Sequence, residues 1–158
     1  MNVEADQLVH DDLAQVSVFT GHAVLTKGTL VLRGSRIEVR EDPDGYQFGV
    51  VFADGDQRAY FRQKREGVDE HLEGEALQIN YDGRADRVIL TSEAEIRRYR
   101  VTTLADQMFG KRIVYNNLTD IFTIDGQPAG DSLKSTQSQG RVKATLVPRK
   151  TSTDKDVP

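Results

Sequence analysis

Alternation of apolar and polar side chains is the feature of this chain that most limits what it can fold into. Between Val18 and Val39 the sequence reads VFTGHAVLTKGTLVLRGSRIEV, with an apolar residue at almost every second position. A period of two puts those residues on one face of a β-strand, whereas an amphipathic helix needs a period of about 3.6. Gly28 and Gly34 supply short turns. The stretch therefore predicts successive antiparallel strands joined by tight turns.

The same alternation continues and predicts an all-β chain. Turn sequences such as DPDG at residues 42–45 separate the strands. A helix is an alternative only for Val101–Gly110, where a strand fits as well. The predicted strands are Val16–Thr20, Ala23–Thr26, Thr29–Arg33, Arg36–Arg40, Tyr46–Phe52, Arg58–Gln63, Ala76–Tyr81, Arg87–Thr91, Ala94–Tyr99, Lys111–Tyr115, Ile121–Ile124 and Arg141–Val147.

Two segments of the chain resemble each other. In each, a Tyr is followed after five residues by an Asp and then by two apolar residues in alternation. Tyr81 and Asp86 in the first segment correspond in this way to Tyr115 and Asp120 in the second. A repeated strand–turn–strand unit indicates stacked hairpins.

Length and composition indicate one thin domain. The chain has 158 residues, of which we assign 1–148 to the domain and 149–158 to a tail of disordered composition. Only 37% of the residues are hydrophobic, so we expect a narrow or open sandwich rather than a deep globule. The net charge of -4 argues against a nucleic-acid partner.

No motif typical of catalysis or metal binding is visible in the sequence. There is no cysteine, and His10, His22 and His71 lack the spacing of metal ligands. The enzymatic alternative is an acid–base pair formed by Asp54 and Asp56, but turn carboxylates this close together lack surroundings that would separate their pKa values. We therefore expect no enzyme activity, no cofactor and no bound metal.

The inward-facing apolar side chains have two possible roles. They either fill an ordinary core or line an open groove for acyl chains, where each buried methylene is worth about 0.8 kcal/mol. The residues assigned to this surface are Val3, Phe19, Leu25, Leu30, Leu32, Ile37, Val39, Phe61, Ile79, Tyr81, Val88, Leu90, Phe122 and Ile124.

Basic residues cluster in three places, which leaves two interpretations open. They belong either to a solvated outer sheet face or to a groove mouth that meets an anionic head group. The clusters are Arg33, Arg36 and Arg40, then Arg62, Lys64 and Arg65, and finally Arg97, Arg98 and Arg100.

The first and last strands have opposite charges. The first is acidic and the last is basic, which suits pairing of one copy's edge with the opposite edge of the next copy. The edge residues are Val3, Glu4, Ala5 and Asp6 at the N-terminal end, and Val142, Lys143, Ala144, Thr145 and Leu146 at the C-terminal end, with Arg141 beside them.

Five segments of the sequence occur in the order in which similar segments occur in one known protein family. They are VEADQ, FTGHAVLTKGTLVL, GEALQINYD followed by DRVILTSEAEI, GKRIVYNNLTDIFTIDG and RVKATLVP. Together they resemble the LptA (OstA-like) family of periplasmic lipopolysaccharide-transport proteins, across about Val3–Pro148. The resemblance implies a twisted open β-jellyroll, in which two antiparallel sheets form a V-shaped sandwich. It implies lipid contacts on the N-terminal strand and its neighbours, here Met1, Val3, Phe19, Phe61, Ile79 and Tyr81.

The resemblance also implies a function and a location. Family members carry lipopolysaccharide, through its lipid A moiety, from an inner-membrane ABC transporter to an outer-membrane assembly. They stack head to tail, with an LptC-like anchor at the N-terminal edge and an LptD-like N-terminal domain at the C-terminal edge. No run of apolar residues long enough to span a membrane occurs and no signal peptide follows Met1. The residues alone leave a cytoplasmic location open, whereas the resemblance implies a periplasmic protein whose export signal has been removed.

Overall fold

Twelve β-strands make up the regular structure of this computed structural model, which describes residues 1–55, 57–65, 67–126 and 141–148. Every strand pairing is antiparallel, which confirms the all-β prediction. The strands are β1 (Asn2–Glu4), β2 (Gln7–Asp11), β3 (Val16–Lys27), β4 (Leu30–Glu41), β5 (Gln47–Phe52), β6 (Ala59–Lys64), β7 (Glu70–Ala76), β8 (Gln78–Asp82), β9 (Arg87–Arg100), β10 (Thr103–Asn116), β11 (Ile121–Asp125) and β12 (Lys143–Thr145).

Four long strands, β3, β4, β9 and β10, each take part in two layers. In β3 the ladder shifts register at Gly21 and His22, whose φ angles are 85° and 48°. β9 passes from one layer to the other at Ser92 and Glu93, whose φ angles are 69° and 50°. Left-handed backbone at these points turns the strand, as a bulge does. Each long strand therefore gives one half to each layer.

The two layers contain eight strands each. The first layer has the order β2-β3-β4-β5-β8-β9-β10-β11. The second has the order β1-β3-β4-β6-β7-β9-β10-β12. The layers are joined at the bends of the long strands, which gives the predicted jellyroll of two antiparallel sheets.

Opposite the bends, the hairpin ends of the two layers come together. The Lys27 ammonium donates a hydrogen bond to the Tyr81 hydroxyl at 3.0 Å. The Arg65 guanidinium donates to the Asp120 carboxylate at 2.8 Å. We call this side of the sandwich the slit and define it by these four residues.

Apolar rows run across each layer from edge to edge. Side chains of residues paired across antiparallel strands share a face, so each row can be followed from strand to strand. In the first layer one such row is Leu8, Phe19, Ile37, Val51, Ile79, Leu90, Ile113 and Ile124. In the second layer it is Val3, Leu25, Leu32, Phe61, Gly74, Ile96, Met108 and Ala144. These rows face each other and form the core.

The repeated segments found in the sequence have the same turn in the structure. In each turn an Asx side chain accepts hydrogen bonds from the backbone N–H groups two and three residues ahead, and the residue four positions ahead has a positive φ. Asp82 and Asp86 form one such turn, and Asn116 and Asp120 form the second. Asp11 begins a third copy of this turn, between β2 and β3.

Some of the predicted elements differ from those in the structure. Val101–Gly110 is not a helix but the bend of a hairpin followed by the first half of β10. The alternation also gave no strand at Glu70–Ala76, which forms β7. The tail at 149–158 lies outside the described residues, so the domain boundary stays a prediction. In the part of the chain that the structure describes, no helix is long and apolar enough to cross a membrane.

Candidate functional site

All of the predicted groove residues belong to one apolar cluster between the layers. Nine of them have at most 5% of their surface exposed: Leu25, Leu30, Leu32, Ile37, Phe61, Ile79, Tyr81, Val88 and Leu90. The remaining five, Val3, Phe19, Val39, Phe122 and Ile124, are half-buried and pack against that cluster. The middle of the predicted groove is therefore filled by its own side chains.

Four of the five half-buried members lie at the two ends of the cluster, whereas Val39 lies in β4, the third strand of the first layer. Phe19 is on β3 at the N-terminal end, where its row ends in Leu8, which is 54% exposed. Phe122 and Ile124 are on β11 at the C-terminal end, where the Phe122 ring stacks on Tyr115 with a centroid distance of 4.7 Å. Apolar side chains accessible to a ligand are thus found where the rows reach the terminal strands.

The predicted groove omits several interior residues. Val51, Leu72, Ile96 and Met108 are buried in the same cluster. Leu72 lies in β7, where the other inward positions are Glu70, Gly74 and Ala76 and give almost no apolar pattern. Val51 and Met108 can be placed inward only when their pairing with strands distant in sequence is known. Alternation alone does not reveal that pairing.

The N-terminal edge consists of β1 and β2, which pair with opposite halves of β3. The predicted edge residues Val3 and Glu4 lie in β1, whereas Ala5 and Asp6 connect β1 to β2. His22 donates a hydrogen bond to the Asp6 carboxylate at 2.9 Å, and this bond raises the pKa of the exposed imidazole above its ordinary value. The contact fastens this connection to the bend of β3.

The C-terminal edge of the second layer is β12, which holds the predicted residues Lys143, Ala144 and Thr145, with Val142 and Leu146 on either side. All five are exposed, Leu146 by 67%. The N–H of Val147 donates to the buried carboxylate of Asp106 at 2.8 Å, which fastens the end of this segment to β10.

Each terminal strand is paired on one side only. β1 and β2 pair with β3, and β11 and β12 pair with β10. Within the described ranges none of the four has a second strand neighbour. The terminal strands can therefore accept a further strand on their outer sides.

The three basic clusters have different environments. Arg33, Arg36 and Arg40 lie on the outward side of β4, where each guanidinium stacks on an aromatic ring; Arg33, for example, lies 4.1 Å from the centroid of Tyr60. This cluster is an outer sheet face. Arg65 and Arg98, in contrast, turn toward the slit and the interior.

Two titratable groups at the slit, Tyr115 and Asp120, have shifted pKa values. Tyr115 donates a hydrogen bond to Asp120 at 2.7 Å, which, together with Arg65, lowers the pKa of that carboxyl group. Burial and the same carboxylate raise the pKa of Tyr115. A polar cavity of about 300 Å³ lies beside them, between the β6–β7 and β10–β11 hairpins.

The described residues contain no group of three or more His, Asp or Glu side chains that could hold a metal ion. Of the enzymatic alternative, Asp54 lies exposed in a turn and Asp56 lies outside the described residues.

The candidate site therefore has three parts: an apolar interior, two ends at which the terminal strands are exposed, and a slit that carries charged groups. A family model described as "LptA/(LptD N-terminal domain) LPS transport protein" matches residues 2–121. The chain belongs to this LptA family. The family resemblance inferred from the five sequence segments is thereby confirmed.

Individual LptA-family relatives agree with this assignment. The lipopolysaccharide export system protein LptH of Pseudomonas aeruginosa is 27% identical over 150 residues, which cover 95% of this chain and 80% of LptH. LptA of Escherichia coli K12 is 30% identical over 98 residues, 62% of this chain and 52% of that protein. Both names describe export proteins, not enzymes.

The fold of this LptA-family chain also matches a solved structure. The crystal structure of LptH, titled the LptA homologous periplasmic component of the lipopolysaccharide transport device of Pseudomonas aeruginosa, superposes with a TM-score of 0.75. It is 24% identical, and the match covers 93% of this chain and 94% of LptH. This likeness confirms the LptA-type jellyroll.

Proposed function

We propose that this protein is a periplasmic, non-enzymatic bridge component that binds lipopolysaccharide and passes it from an inner-membrane ABC-transporter complex to the outer-membrane assembly. The observation that carries the proposal is the set of apolar rows that runs through the interior and ends in half-buried or exposed side chains at both edges. The names of its relatives, which are lipopolysaccharide export proteins, support the cargo.

The acyl chains of lipid A are the part of the cargo that fits the interior. Each methylene transferred from water to an apolar site contributes about 0.8 kcal/mol, so several chains give useful affinity without any chemical step. Since the centre is filled, we infer that chains enter where Phe19 and Ile124 are half-buried and that the layers separate along the slit. No cofactor and no nucleic acid take part.

Head-to-tail stacking would continue both layers from one copy to the next. Because each layer contains an even number of strands, β12 runs antiparallel to β1 of a following copy. Pairing Ala144 with Val3 would extend the interior row, and the same register would set Lys143 opposite Glu4. The opposite charges of the two edges support this register.

We assign the N-terminal edge to an LptC-like anchor and the C-terminal edge to an LptD-like N-terminal domain. The family description that matches this chain names the LptD N-terminal domain together with LptA. A partner with the same kind of edge strand can add to β11 and β12 by strand pairing, as a second copy would.

The filled centre favours a second candidate, a scaffold that stacks but does not bind lipid. Phe61, Ile79 and Leu90 have no exposed surface, so this interior can serve as an ordinary core. The scaffold predicts association through the edges without saturable uptake of lipopolysaccharide.

Titration with lipopolysaccharide separates the two candidates. The chain contains no tryptophan, so Phe19→Trp introduces a single reporter at the half-buried N-terminal end of the interior. We expect its emission to shift to shorter wavelength and to saturate as acyl chains cover it. Leu13→Trp is the matched control because Leu13 is 99% exposed in a turn, and its emission should stay unchanged.

If the Phe19→Trp variant stacks like the wild type but its emission spectrum does not change with lipopolysaccharide, lipid binding is rejected and the scaffold remains as the proposed function. Equal shifts at both positions would show non-specific coating by lipid micelles instead of binding in the interior.

A further inference from the structure

Arg65 occupies a position in the slit that suits exchange of a bound anion. Its guanidinium donates to Glu70 at 3.0 Å on one side and to Asp120 at 2.8 Å on the other. The Glu70 side chain is 8% exposed, whereas that of Asp120 is 48% exposed. One partner of Arg65 is therefore buried with it, and the other faces solvent at the slit and can be displaced.

The cavity of about 300 Å³ in front of this pair has an almost entirely polar lining: Thr29, Gln63, Lys64, Arg65, Tyr115, Asn117 and Asp120. Lys64 also lines this cavity and forms no ion pair with any described residue.

A second arginine lies close behind this cavity. Arg98 points inward from β9, has its guanidinium 5.6 Å from the Phe122 ring centroid and lowers the pKa of Asp120 together with Tyr115 and Arg65. Its Nη1 donates to Asp106, but its buried Nε has no hydrogen-bond acceptor among the described residues. Arg98 therefore adds positive charge behind the cavity, next to a buried donor that lacks an acceptor among the described residues.

The chemistry of this arrangement favours a phosphate over a carboxylate. A guanidinium presents parallel N–H donors that match two oxygens of a phosphate group, and a phosphate carries more negative charge than the single carboxylate of Asp120. Exchange at Arg65 therefore replaces one ion pair with a stronger one and leaves the buried pair with Glu70 intact.

We propose that the slit binds a phosphate group of the lipid cargo, with Arg65 releasing Asp120 to take it. This inference rests on the proposed function. It places the phosphorylated head group at the slit while the acyl chains lie between the layers. Breaking the Arg65–Asp120 contact also removes one of the two links that hold the slit closed, so the head group itself would help to open it.

The test compares two ligands on the full chain: lipid A with its phosphates and the same lipid with its phosphates removed. We expect the wild type to bind the phosphorylated form about tenfold more tightly. Asp120→Asn should increase the preference for the phosphorylated form by about fivefold, since it removes the competing charge, whereas the loss of a link across the slit changes the affinity for both forms equally. Asn tolerates the positive φ of 58° at this position and still accepts the Tyr115 hydrogen bond.

Arg65→Lys should reduce the preference for the phosphorylated lipid, because lysine keeps a charge near Glu70 but has no planar pair of donors. Arg36→Lys is the matched control: Arg36 is an arginine on the outward side of β4 that pairs with Glu38 next to the bend, on the side of the sandwich opposite the slit. It should bind both lipids like the wild type.

Equal binding of both lipids by the wild type, with no gain in Asp120→Asn, would overturn the phosphate site and leave lipid binding intact. Failure of both lipids to bind would overturn the proposed function and the site with it. Titration with inorganic phosphate distinguishes the sources: a gain for free phosphate alone in Asp120→Asn, without any lipid preference, would reject the head group as ligand.

Discussion

At the residue scale, Phe61 shows how an inward-facing residue of the alternating pattern stabilises the folded state. It belongs to the interior row of the second layer and has no exposed surface. We expect Phe61→Ala to lower the free energy of unfolding by about 3–5 kcal/mol, because it removes a buried ring and leaves a cavity. Urea denaturation measures this change. Leu13→Ala, at a 99% exposed position, should cost less than about 0.5 kcal/mol. Similar losses for the two variants would contradict the assigned core.

The pair His22–Asp6 gives a pH dependence at the N-terminal edge. The folded-state pKa of His22 is raised above its ordinary value of 6.5 by the hydrogen bond to Asp6. Its stabilising contribution is therefore complete below that ordinary value and is lost as the pH rises through the raised pKa. NMR should show that the protection factor of the Asp6 amide, which donates to the Gly21 carbonyl, falls above this range. In Asp6→Asn the His22 pKa should fall back; an unchanged titration would contradict the contact.

The sequence predicts the direction of side chains better than their accessibility. Every predicted groove residue, from Val3 to Ile124, joins the interior cluster, because the period of two fixes the face. Whether a residue is covered depends on its neighbours in other strands. Ile79 and Phe19 have the same pattern, but Ile79 lies mid-layer and is fully buried, whereas Phe19 lies next to an edge strand.

At the scale of elements, β7 depends on a glycine. A Cβ at Gly74 would lie 2.8 Å from Leu90 Cδ2 and 3.0 Å from the Glu95 carbonyl oxygen, whereas at Gly49 it meets only ordinary contacts from 3.6 Å outward. Both are inward glycines in strands. We expect Gly74→Ala to destabilise the fold by about 1–3 kcal/mol, since the backbone of β9 must move. Gly49→Ala should be neutral or slightly stabilising. Thermal unfolding of the two variants decides; equal midpoints would contradict the packing of β7.

This dependence explains why β7 is not visible in the sequence. Its inward residues are Glu70, Leu72, Gly74 and Ala76, so the strand has one large apolar side chain and no alternating apolar run. The bends, in contrast, coincide with breaks in the predicted pattern; in β9, for example, one predicted strand ends at Thr91 and the next begins at Ala94. The pattern does not reveal that the two segments form one long strand, because the left-handed Ser92 and Glu93 join halves of β9 that pair in different layers.

At the scale of the whole molecule, the even number of strands in each layer determines in which orientation the edge strands of two copies can pair. The register that continues the interior rows brings Glu4 and Lys143 together. We expect Glu4→Lys or Lys143→Glu alone to weaken association several-fold at low salt, and the double variant to restore it, because exposed pairs contribute about 0.2–1 kcal/mol. Sedimentation velocity over a concentration series measures this. Wild-type association in both single variants would reject this register.

The proposed transport function requires that acyl chains lie between the two layers. The most direct measurement places a photo-reactive phenylalanine at Phe19 or Ile124, which face inward, and at their outward neighbours Val18 or Thr123. After illumination with bound lipopolysaccharide, we expect lipid adducts at the two inward positions and almost none at the outward ones. Equal labelling of both faces, or adducts only at the outward positions, would contradict it.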